Sequence, residues 1–229
     1  MSSNIIMAHG VRKQFFRKGR ESARYFDAVA DVDLSLEAGQ LMVLMGRSGS
    51  GKSTLLNMLA GLLEPTEGTV ELEGFDLYSL SDAQLSRLRN GKIGVIPQGQ
   101  TAIHSLTVVQ NVMLPQLMYE ADGDVERRAL ELLERLDVRD LADSYPRELS
   151  GGELRRMAIA RALMCRPVAV LADEPTSDLD DENTEAVLKM LREVADAGST
   201  VLVVTHEQGA ASFADRVLRM SSGKVDVER

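Results

Sequence analysis

The sequence predicts an α/β fold in which the strands of a central sheet end in polar loops. The N-terminal part, including "DVDLSLEAGQ" and "GTVELEG", alternates apolar and polar residues between turn glycines, which favours an antiparallel β subdomain. The stretch from about 99 to 164 has mostly helical periodicity, as in "DGDVERRALELLERLDV". Short apolar runs typical of buried strands occur at about 41–45, 93–96, 168–172 and 201–204. Since such sheets bind ligands at the carboxyl ends of their strands, the residues that follow these runs are the candidate functional residues.

A loop rich in glycine and serine follows the first of these runs, "LMVLM", and precedes a helical pattern, "STLLNMLAGLL". The loop, "GRSGSGKST", matches G-x-x-x-x-G-K-[ST]. A loop that wraps a phosphate must turn its backbone N–H groups inward, and glycine tolerates the angles that this requires. The following helix directs its unpaired N–H groups at the same anion. The predicted phosphate-binding residues are Gly46, Arg47, Ser48, Gly49, Ser50, Gly51, Lys52, Ser53 and Thr54.

Two residues of this loop have more specific expected roles. Lys52 supplies a mobile positive charge for the terminal phosphates, and Ser53 offers its hydroxyl to Mg²⁺.

Two carboxylates follow the buried run in "VAVLADEP". Asp173 is expected to hold the Mg²⁺ shell through water, and Glu174 is expected to orient and polarise an attacking water. In isolation, a strand that ends in a polar turn would explain both acids. Because phosphoryl transfer needs a metal and a positioned water, their occurrence with a phosphate loop predicts nucleotide hydrolysis.

The composition limits the other classes of function. With 229 residues, 44% of them hydrophobic, the chain can form one sizeable core or two small ones. The net charge of −9 argues against a surface that coats nucleic acid, and the single cysteine excludes an intrachain disulfide. No apolar run approaches the roughly 20 residues that span a bilayer, and "MSSNIIMAHGVRKQFFRKGR" lacks a signal-peptide core. We therefore expect a cytosolic chain unless a partner holds it at a membrane.

Between the two chemically marked segments lies "LSGGELRRMAIARALMCRP", which nucleotide hydrolysis in general does not require. With this stretch the sequence resembles the ABC-type ATPases from about Val11 to Val225, with the motifs in the family's order. The resemblance implies a P-loop NTPase fold of the ABC ATPase type, with a RecA-like core, an antiparallel β subdomain and a helical signature subdomain. It implies one domain over 1–229, in which about 1–98 and 166–229 form the core and β subdomain. About 99–165 would form the helical subdomain.

The resemblance also assigns roles across a dimer interface. In the family two ATPase domains meet head to tail. The signature loop, Ser150 to Glu153, would therefore contact a γ-phosphate that the second subunit holds. The contacts would come from Ser150, Gly151 and Gly152. Glu153 stands where glutamine is commoner. In "SDLD", the family's D-loop, Asp180 would communicate across the same interface.

Two further residues gain roles from the order of the motifs. Gln98, which ends "IGVIPQ", resembles the Q-loop residue near Mg²⁺ and the attacking water. His206, which ends "VLVVTH", resembles the switch histidine that contacts the γ-phosphate. Gln100 stands where relatives often carry an aromatic residue.

An aromatic residue early in these chains stacks on adenine. The segment "VRKQFF" points to Phe15, with Phe16 as the alternative and Tyr25 as a weaker rival. Arg47 stands where the family often has proline, and either a phosphate contact or a solvent-facing position is open to it.

The stretches "GLLEPTEGTVELEG", "LTVVQNVMLP" and "LADEPTSDLD" resemble the subgroup that serves lipoprotein release and macrolide or peptide export. This resemblance implies an ATP-binding and hydrolysing subunit that uses ATP and Mg²⁺ and forms a homodimer. An integral membrane permease in trans would hold it at the cytoplasmic face of the cell membrane, for export or envelope mechanotransmission.

The alternative is a soluble ABC ATPase that acts on a macromolecule in DNA repair or translation. That class usually adds a coiled coil or a second ATPase domain, and neither pattern occurs in this sequence. With the acidic net charge, this leads us to expect no nucleic-acid partner. A nucleotide sensor without hydrolysis is disfavoured because Glu174 and His206 are both present.

Overall fold

A computed structural model describes residues 4–18, 23–99, 101–119, 123–177 and 179–227. Gln100 and Asp178, which belong to the predicted Q-loop and D-loop regions, lie outside the described residues. The described chain forms two sheets, one antiparallel and one mainly parallel, with helices packed around the second.

The antiparallel sheet occupies the N-terminal part, as the alternating pattern predicts. Its strands run in the order β2-β1-β4-β5. They are β1 Asn4–Lys18, β2 Ala23–Glu37, β4 Glu67–Leu72 and β5 Phe75–Asp76. The pairing of β1 with β2 shifts register between Ala8 and Val11, next to Gly10 and opposite Asp31, both of which have positive φ. Such bulges increase the local twist of the long hairpin.

The mainly parallel sheet has the strand order β10-β9-β3-β8-β7-β6. Its strands are β3 Leu41–Met45, β6 Ile93–Ile96, β7 Ala169–Asp173, β8 Thr200–Thr205, β9 Arg216–Ser221 and β10 Lys224–Val227. Only β10 runs antiparallel to its neighbour. The four apolar runs therefore form adjacent parallel strands, and their carboxyl ends meet at one edge, which confirms the predicted fold class.

The helices are α1 Lys52–Leu59, α2 Asp82–Lys92, α3 Val108–Leu117, α4 Val125–Arg135, α5 Gly151–Leu163 and α6 Asp181–Asp196. Three of them, α3 to α5, fall in the stretch that the sequence predicts to be mostly helical. Helix α4 begins at an Asp124 cap and buries one apolar face, as its periodicity predicts. No helix in the described ranges is both long enough and apolar enough to cross a membrane.

Two apolar cores lie on opposite faces of the parallel sheet. In β3, Leu41 and Val43 belong to the core shared with α5 and α6, whereas Met42 and Leu44 belong to the core shared with α1 and the antiparallel sheet. All four are at most 1% exposed. Since burying such a side chain stabilises by roughly 1.5–3 kcal/mol, β3 is held from both faces. The loop that follows β3 therefore starts from a rigid position.

The turn between β9 and β10 connects the two sheets beneath this loop. The backbone N–H of Gly223 donates to the carbonyl of Ser50 at 3.0 Å, and the N–H of Ala30 donates to the carbonyl of Gly223 at 2.8 Å. This turn thus ties β2 to the phosphate loop.

Candidate active site

The phosphate loop needs glycine at defined positions. A Cβ on Gly51 would lie 2.0 Å from the carbonyl oxygen of Ala28, and the residue has a φ of 109°. A Cβ on Gly46 would lie 2.4 Å from the carbonyl oxygen of Met220. Gly49 has a φ of 77°, but an added Cβ would meet no atom within 4 Å. The first and last glycines of the motif therefore allow close packing of backbones, and Gly49 allows the left-handed turn.

Lys52 begins α1 and is only 6% exposed. Its Nζ donates hydrogen bonds to the carbonyl oxygens of Gly46 at 2.7 Å and Arg47 at 3.3 Å. The same atom lies 4.0 Å from Oε1 of Glu174. The ammonium group of Lys52 is therefore held between the backbone of the phosphate loop and the carboxylate of Glu174.

Asp173 ends β7 with 7% exposure. Burial raises the pKa of its carboxyl above the usual value, and a hydrogen bond with the Ser53 side chain and the charge of Lys52 offset part of this. Its Oδ1 is buried and has no hydrogen-bond partner within the part of the chain that the structure describes. A desolvated carboxylate oxygen beside a serine hydroxyl is a suitable ligand set for Mg²⁺, which binds one or two protein groups together with phosphates and water.

Glu174 has an unusual backbone for its residue type, with a φ of 48°. Its N–H donates to the carbonyl of Val204 at 2.8 Å, which holds it in this conformation. The residue is buried, and its side chain accepts a hydrogen bond from Oγ1 of Thr205 at 3.2 Å. Left-handed residues of this kind cost about 1–3 kcal/mol and are concentrated at functional sites.

One open cleft of about 770 Å³ brings most of the predicted residues together. The predicted residues that line it are Phe15, Arg47, Ser48, Gly49, Ser50, Gly51, Lys52, Ser53, Thr54, Gln98, Glu174 and His206. Gly46 and Asp173 do not line the cleft itself. They contact residues that do, since Gly46 accepts a hydrogen bond from Lys52 and Asp173 interacts with Ser53.

The far end of the cleft is aromatic. Phe15 on β1 and Phe26 on β2 both line it, with ring centroids 6.1 Å apart. The alternatives Phe16 and Tyr25 contact each other edge to face, with ring centroids 5.3 Å apart, and do not line the cleft. Sequence reasoning missed Phe26, because only the register of the hairpin places it opposite Phe15.

The signature loop lies outside this cleft. Ser150 caps α5 in a reciprocal arrangement, since its N–H and hydroxyl donate to Oε2 of Glu153 at 2.7 and 2.8 Å. These hydrogen bonds lower the pKa of Glu153 below its usual value. The acid thus shapes the start of α5, and Gly151 beside it is exposed, with nothing within 4 Å of an added Cβ.

Asn183 connects the signature helix to the D-loop, and the sequence did not single it out. Its Oδ1 accepts from Nη2 of Arg156 at 2.7 Å, and its Nδ2 donates to both carboxylate oxygens of Asp180 at 2.9 Å. A Cβ on Gly152 would lie 3.2 Å from the same Oδ1. Asp180, which caps α6, is therefore outside the cleft but joined to the signature loop.

Arg155 is a third residue that the sequence analysis missed. It is 8% exposed, and its guanidinium donates to the carbonyl of Pro97 at 3.0 Å and to Oγ of Ser177 at 3.5 Å. It thereby links α5 to the residues next to Gln98 and Glu174. Nothing in the pattern of "ELRRMA" distinguishes this buried arginine from its neighbour Arg156.

This combination of fold and site defines a class of protein, a nucleotide hydrolase of the P-loop type with a signature helix. Residues 29–177 match the ABC transporter family. The chain belongs to that family and is an ATPase of the ABC type, which confirms the family and the enzyme class predicted from the sequence.

Two similar proteins indicate the subgroup of the family to which the chain belongs. It is 40% identical over 223 residues to the lipoprotein-releasing system ATP-binding protein LolD of Xanthomonas euvesicatoria, covering 96% of this chain and 90% of that one. It is also 40% identical over 226 residues to the macrolide export ATP-binding/permease protein MacB of Rhodopirellula baltica. This match covers 96% of the chain but only 32% of that longer relative. The predicted subgroup is confirmed.

Solved structures support the same assignment. The dimeric structure of MJ0796, described as a bacterial ABC transporter cassette, has a TM-score of 0.89 and 36% identity, covering 98% of this chain and 97% of that one. A second dimeric structure of that cassette, in a post-hydrolysis state with ADP and Pi, has the same TM-score and 35% identity. The cassette MJ0796, which is similar to this chain, thus forms a dimer and binds ADP and Pi.

Proposed function

We propose that this chain is the ATP-binding and hydrolysing subunit of an ABC transporter, which dimerises around two Mg·ATP and drives a separate membrane permease. One observation carries the proposal. The phosphate loop, Glu174 and His206 share a single cleft, whereas the signature loop of the same chain lies outside it. The cleft therefore lacks a wall that a second copy of the chain can supply.

Residues of the cleft can bind the phosphates of ATP and activate the attacking water. Lys52 and the backbone N–H groups of the phosphate loop bind the terminal phosphates. Glu174 accepts a proton from the attacking water or orients it, since its buried carboxylate faces the cleft beside Lys52. His206 contacts Glu174 and lies within reach of a terminal phosphate. Gln98 lines the same cleft.

We assign the metal ligands to Ser53, Gln98 and Asp173, with Asp173 acting through water. The orphaned Oδ1 of Asp173 supports this assignment. When bound, Mg²⁺ would neutralise charge on the terminal phosphates of ATP. Mg²⁺ is usually bound by one or two protein groups together with substrate phosphates and water, so ATP phosphates would supply further ligands beside these residues.

The dimer follows from the position of the exposed signature loop. Ser150, Gly151 and Gly152 start α5, and the first turn of a helix offers free N–H groups to an anion. In a head-to-tail dimer these groups would face the γ-phosphate held by the other subunit, with Glu153 holding the cap and Asp180 near the interface. We assign 99–165 to a helical subdomain that carries this loop, and about 1–98 and 166–229 to the core and β subdomain.

The names of the relatives support a membrane partner. LolD is named as the ATP-binding protein of a lipoprotein-releasing system, and MacB as an ATP-binding/permease protein for macrolide export. This chain spans about a third of that MacB but nine-tenths of that LolD. We therefore propose a permease in trans that holds the chain at the cytoplasmic face of the membrane, for export or envelope mechanotransmission.

Mixing two inactive variants tests the shared site. Lys52→Ala removes the phosphate cation but keeps the signature loop. Gly151→Asp charges the signature loop at a position where a side chain fits, and it keeps the phosphate loop. Each variant alone should lack ATPase activity, and a mixture should regain part of it, because a mixed dimer contains one complete site. A mixture as inactive as its components would show that the signature loop does not act on the partner's nucleotide.

A pull-down experiment tests whether the chain binds a membrane permease. A tagged Glu174→Gln chain, incubated with Mg·ATP and detergent-solubilised membranes of its host, should retain an integral membrane protein, identified by mass spectrometry. A tagged Lys52→Ala chain is the matched control, and it should retain less. Recovery of ribosomal or DNA-repair proteins instead would favour the soluble-ATPase alternative.

A further inference from the structure

We propose that Phe26 forms a second aromatic wall for the nucleotide base and that, together with Phe15, it selects purine over pyrimidine nucleotides. This proposal rests on the proposed function, since it concerns the same cleft. It assigns a specificity role to Phe26 on β2, whereas the predicted adenine contact, Phe15, lies on β1.

The pairing of the hairpin puts both rings on one face. Phe15 and Phe26 are directly opposite each other across β1 and β2, and opposite residues in an antiparallel pair point to the same side of the sheet. The next pair, Phe16 and Tyr25, points to the other side. Phe15 is 37% exposed and Phe26 is 47% exposed, so each ring presents an uncovered face or edge at the cleft.

The distance between the rings excludes a base sandwiched between them. Their centroids are 6.1 Å apart and their planes differ by 35°. A base stacked between two rings needs about 3.5 Å on each side, or about 7 Å in all, with nearly parallel planes. The two rings therefore form one tilted surface, and a base must lie across it. A bicyclic purine is long enough to cover both rings, whereas a pyrimidine covers little more than one.

The position of this surface relative to the phosphates is fixed by the backbone of β2. The carbonyl of Ala28, two residues after Phe26, packs directly against Gly51 of the phosphate loop. Between them, Asp27 accepts two hydrogen bonds from the Arg12 guanidinium on β1, at 2.8 and 3.0 Å. The distance between the phosphate loop and the ring of Phe26 is thus fixed. A nucleotide whose phosphates occupy the loop can therefore place its base on Phe26.

Isothermal titration calorimetry with Mg²⁺ tests this with three probes: ATP, CTP and inorganic triphosphate. Phe26→Ala should weaken ATP binding about five- to tenfold, because the base loses one of the two rings that it covers. It should change CTP binding less than twofold and triphosphate binding not at all. Phe16→Ala, on the opposite face of the same hairpin, is the matched control and should leave all three unchanged.

Two conservative variants keep the test decisive if the alanine variant folds poorly. Phe26→Tyr retains a ring and should bind all probes as the wild type does. Phe26→Leu retains apolar bulk without the ring and should lose much of the preference for ATP over CTP. Unchanged preference in the leucine variant, or equal losses for ATP and CTP, would overturn the proposal. Failure of the proposed function would look different, because the wild type itself would then bind none of the probes or would bind them as Lys52→Ala does.

Discussion

Nδ1 of His206 lies 3.0 Å from Oε2 of Glu174, so the residue that follows β8 and the residue that follows β7 meet at the cleft. The two side chains differ sharply in environment, since the side chain of His206 is 65% exposed and that of Glu174 is 10% exposed. The acid is fixed by Thr205 and its backbone, whereas the histidine is held mainly by this contact. A change in what His206 touches therefore bears directly on the buried carboxylate.

Replacement of the acid tests its role in catalysis. Glu174→Gln preserves the size and the contact with Thr205 but cannot accept a proton, so we expect the rate of ATP hydrolysis to fall at least about a hundredfold. ATP binding should persist, and an ATP-dependent dimer should accumulate in size-exclusion chromatography. Glu185→Gln, on the exposed face of α6, should hydrolyse ATP as the wild type does. Wild-type turnover in Glu174→Gln would remove this acid from the mechanism.

A histidine variant separates positioning from proton transfer. We expect His206→Ala to retain ATP affinity within a fewfold, because Lys52 and the loop carry most of the phosphate contacts. Its turnover should fall by at least about tenfold, since Glu174 loses the partner that fixes its exposed side. Single-turnover kinetics give the chemical rate directly. An unchanged chemical rate would mean that the contact with Glu174 has no catalytic consequence.

Two glycine variants compare a crowded position with an open one. In Gly51→Ala the new methyl would collide with the carbonyl of Ala28, so the loop or β2 must shift, and both ATP affinity and the melting temperature should drop clearly. Gly74 has a similar left-handed backbone but nothing within 4 Å of an added Cβ. Gly74→Ala should cost only about 1 kcal/mol of stability and leave ATP binding intact. Equal effects of the two substitutions would contradict the close approach of β2 to the loop.

Asn183 is expected to matter for the dimer rather than for the single chain. Asn183→Ala removes the acceptor for Arg156 and the donor to Asp180, so the signature loop and the D-loop lose their shared support. We expect ATP affinity to change less than about twofold and ATP-driven dimerisation to weaken about tenfold, the latter worth about 1.4 kcal/mol. Analytical ultracentrifugation in the Glu174→Gln background measures this. Lys189→Ala, on the exposed face of the same helix, is the control. A loss of ATP affinity without a loss of dimerisation would contradict the expectation.

The start of β3 should be sensitive to acid. Burial alone would raise the pKa of Asp215, but hydrogen bonds from Arg192 and the N–H of Leu41 lower it below the usual value. A carboxyl with a lowered pKa in the folded state stabilises fully above the unfolded pKa of about 3.9. This contribution is lost as the pH falls through the folded pKa.

We therefore expect Asp215→Asn to lower the melting temperature only modestly near pH 7, because the carboxylate is nearly half exposed and water screens its interaction with Arg192. The difference from the wild type should shrink as the pH falls below about 4. Thermal unfolding between pH 3 and 7 measures the difference. A difference independent of pH would point to the shape of the side chain rather than its charge.

Much of this site could be predicted because its signals are local in sequence. The phosphate loop, with Lys52 and Ser53, lies in one continuous segment between a strand and a helix. Asp173 ends β7 and Glu174 follows it directly. The order of these segments identified the family, and the predicted strand at 41–45 coincides with β3. Parallel strands that carry such residues must bring them to one edge of the sheet.

The tertiary structure decided what depends on contacts between distant segments. Phe26 joins Phe15 only through the register of β1 and β2, and the buried Arg155 differs from Arg156 only in what packs around it. Likewise, Gly51 is indispensable because of the carbonyl of Ala28, which lies far from it in sequence. The sequence by itself determined which residues bind phosphate and carry out hydrolysis, because the phosphate loop and the two acids lie in short continuous segments. The fold determined which aromatic, amide and guanidinium groups surround that chemistry, because packing is set by partners that no local pattern specifies.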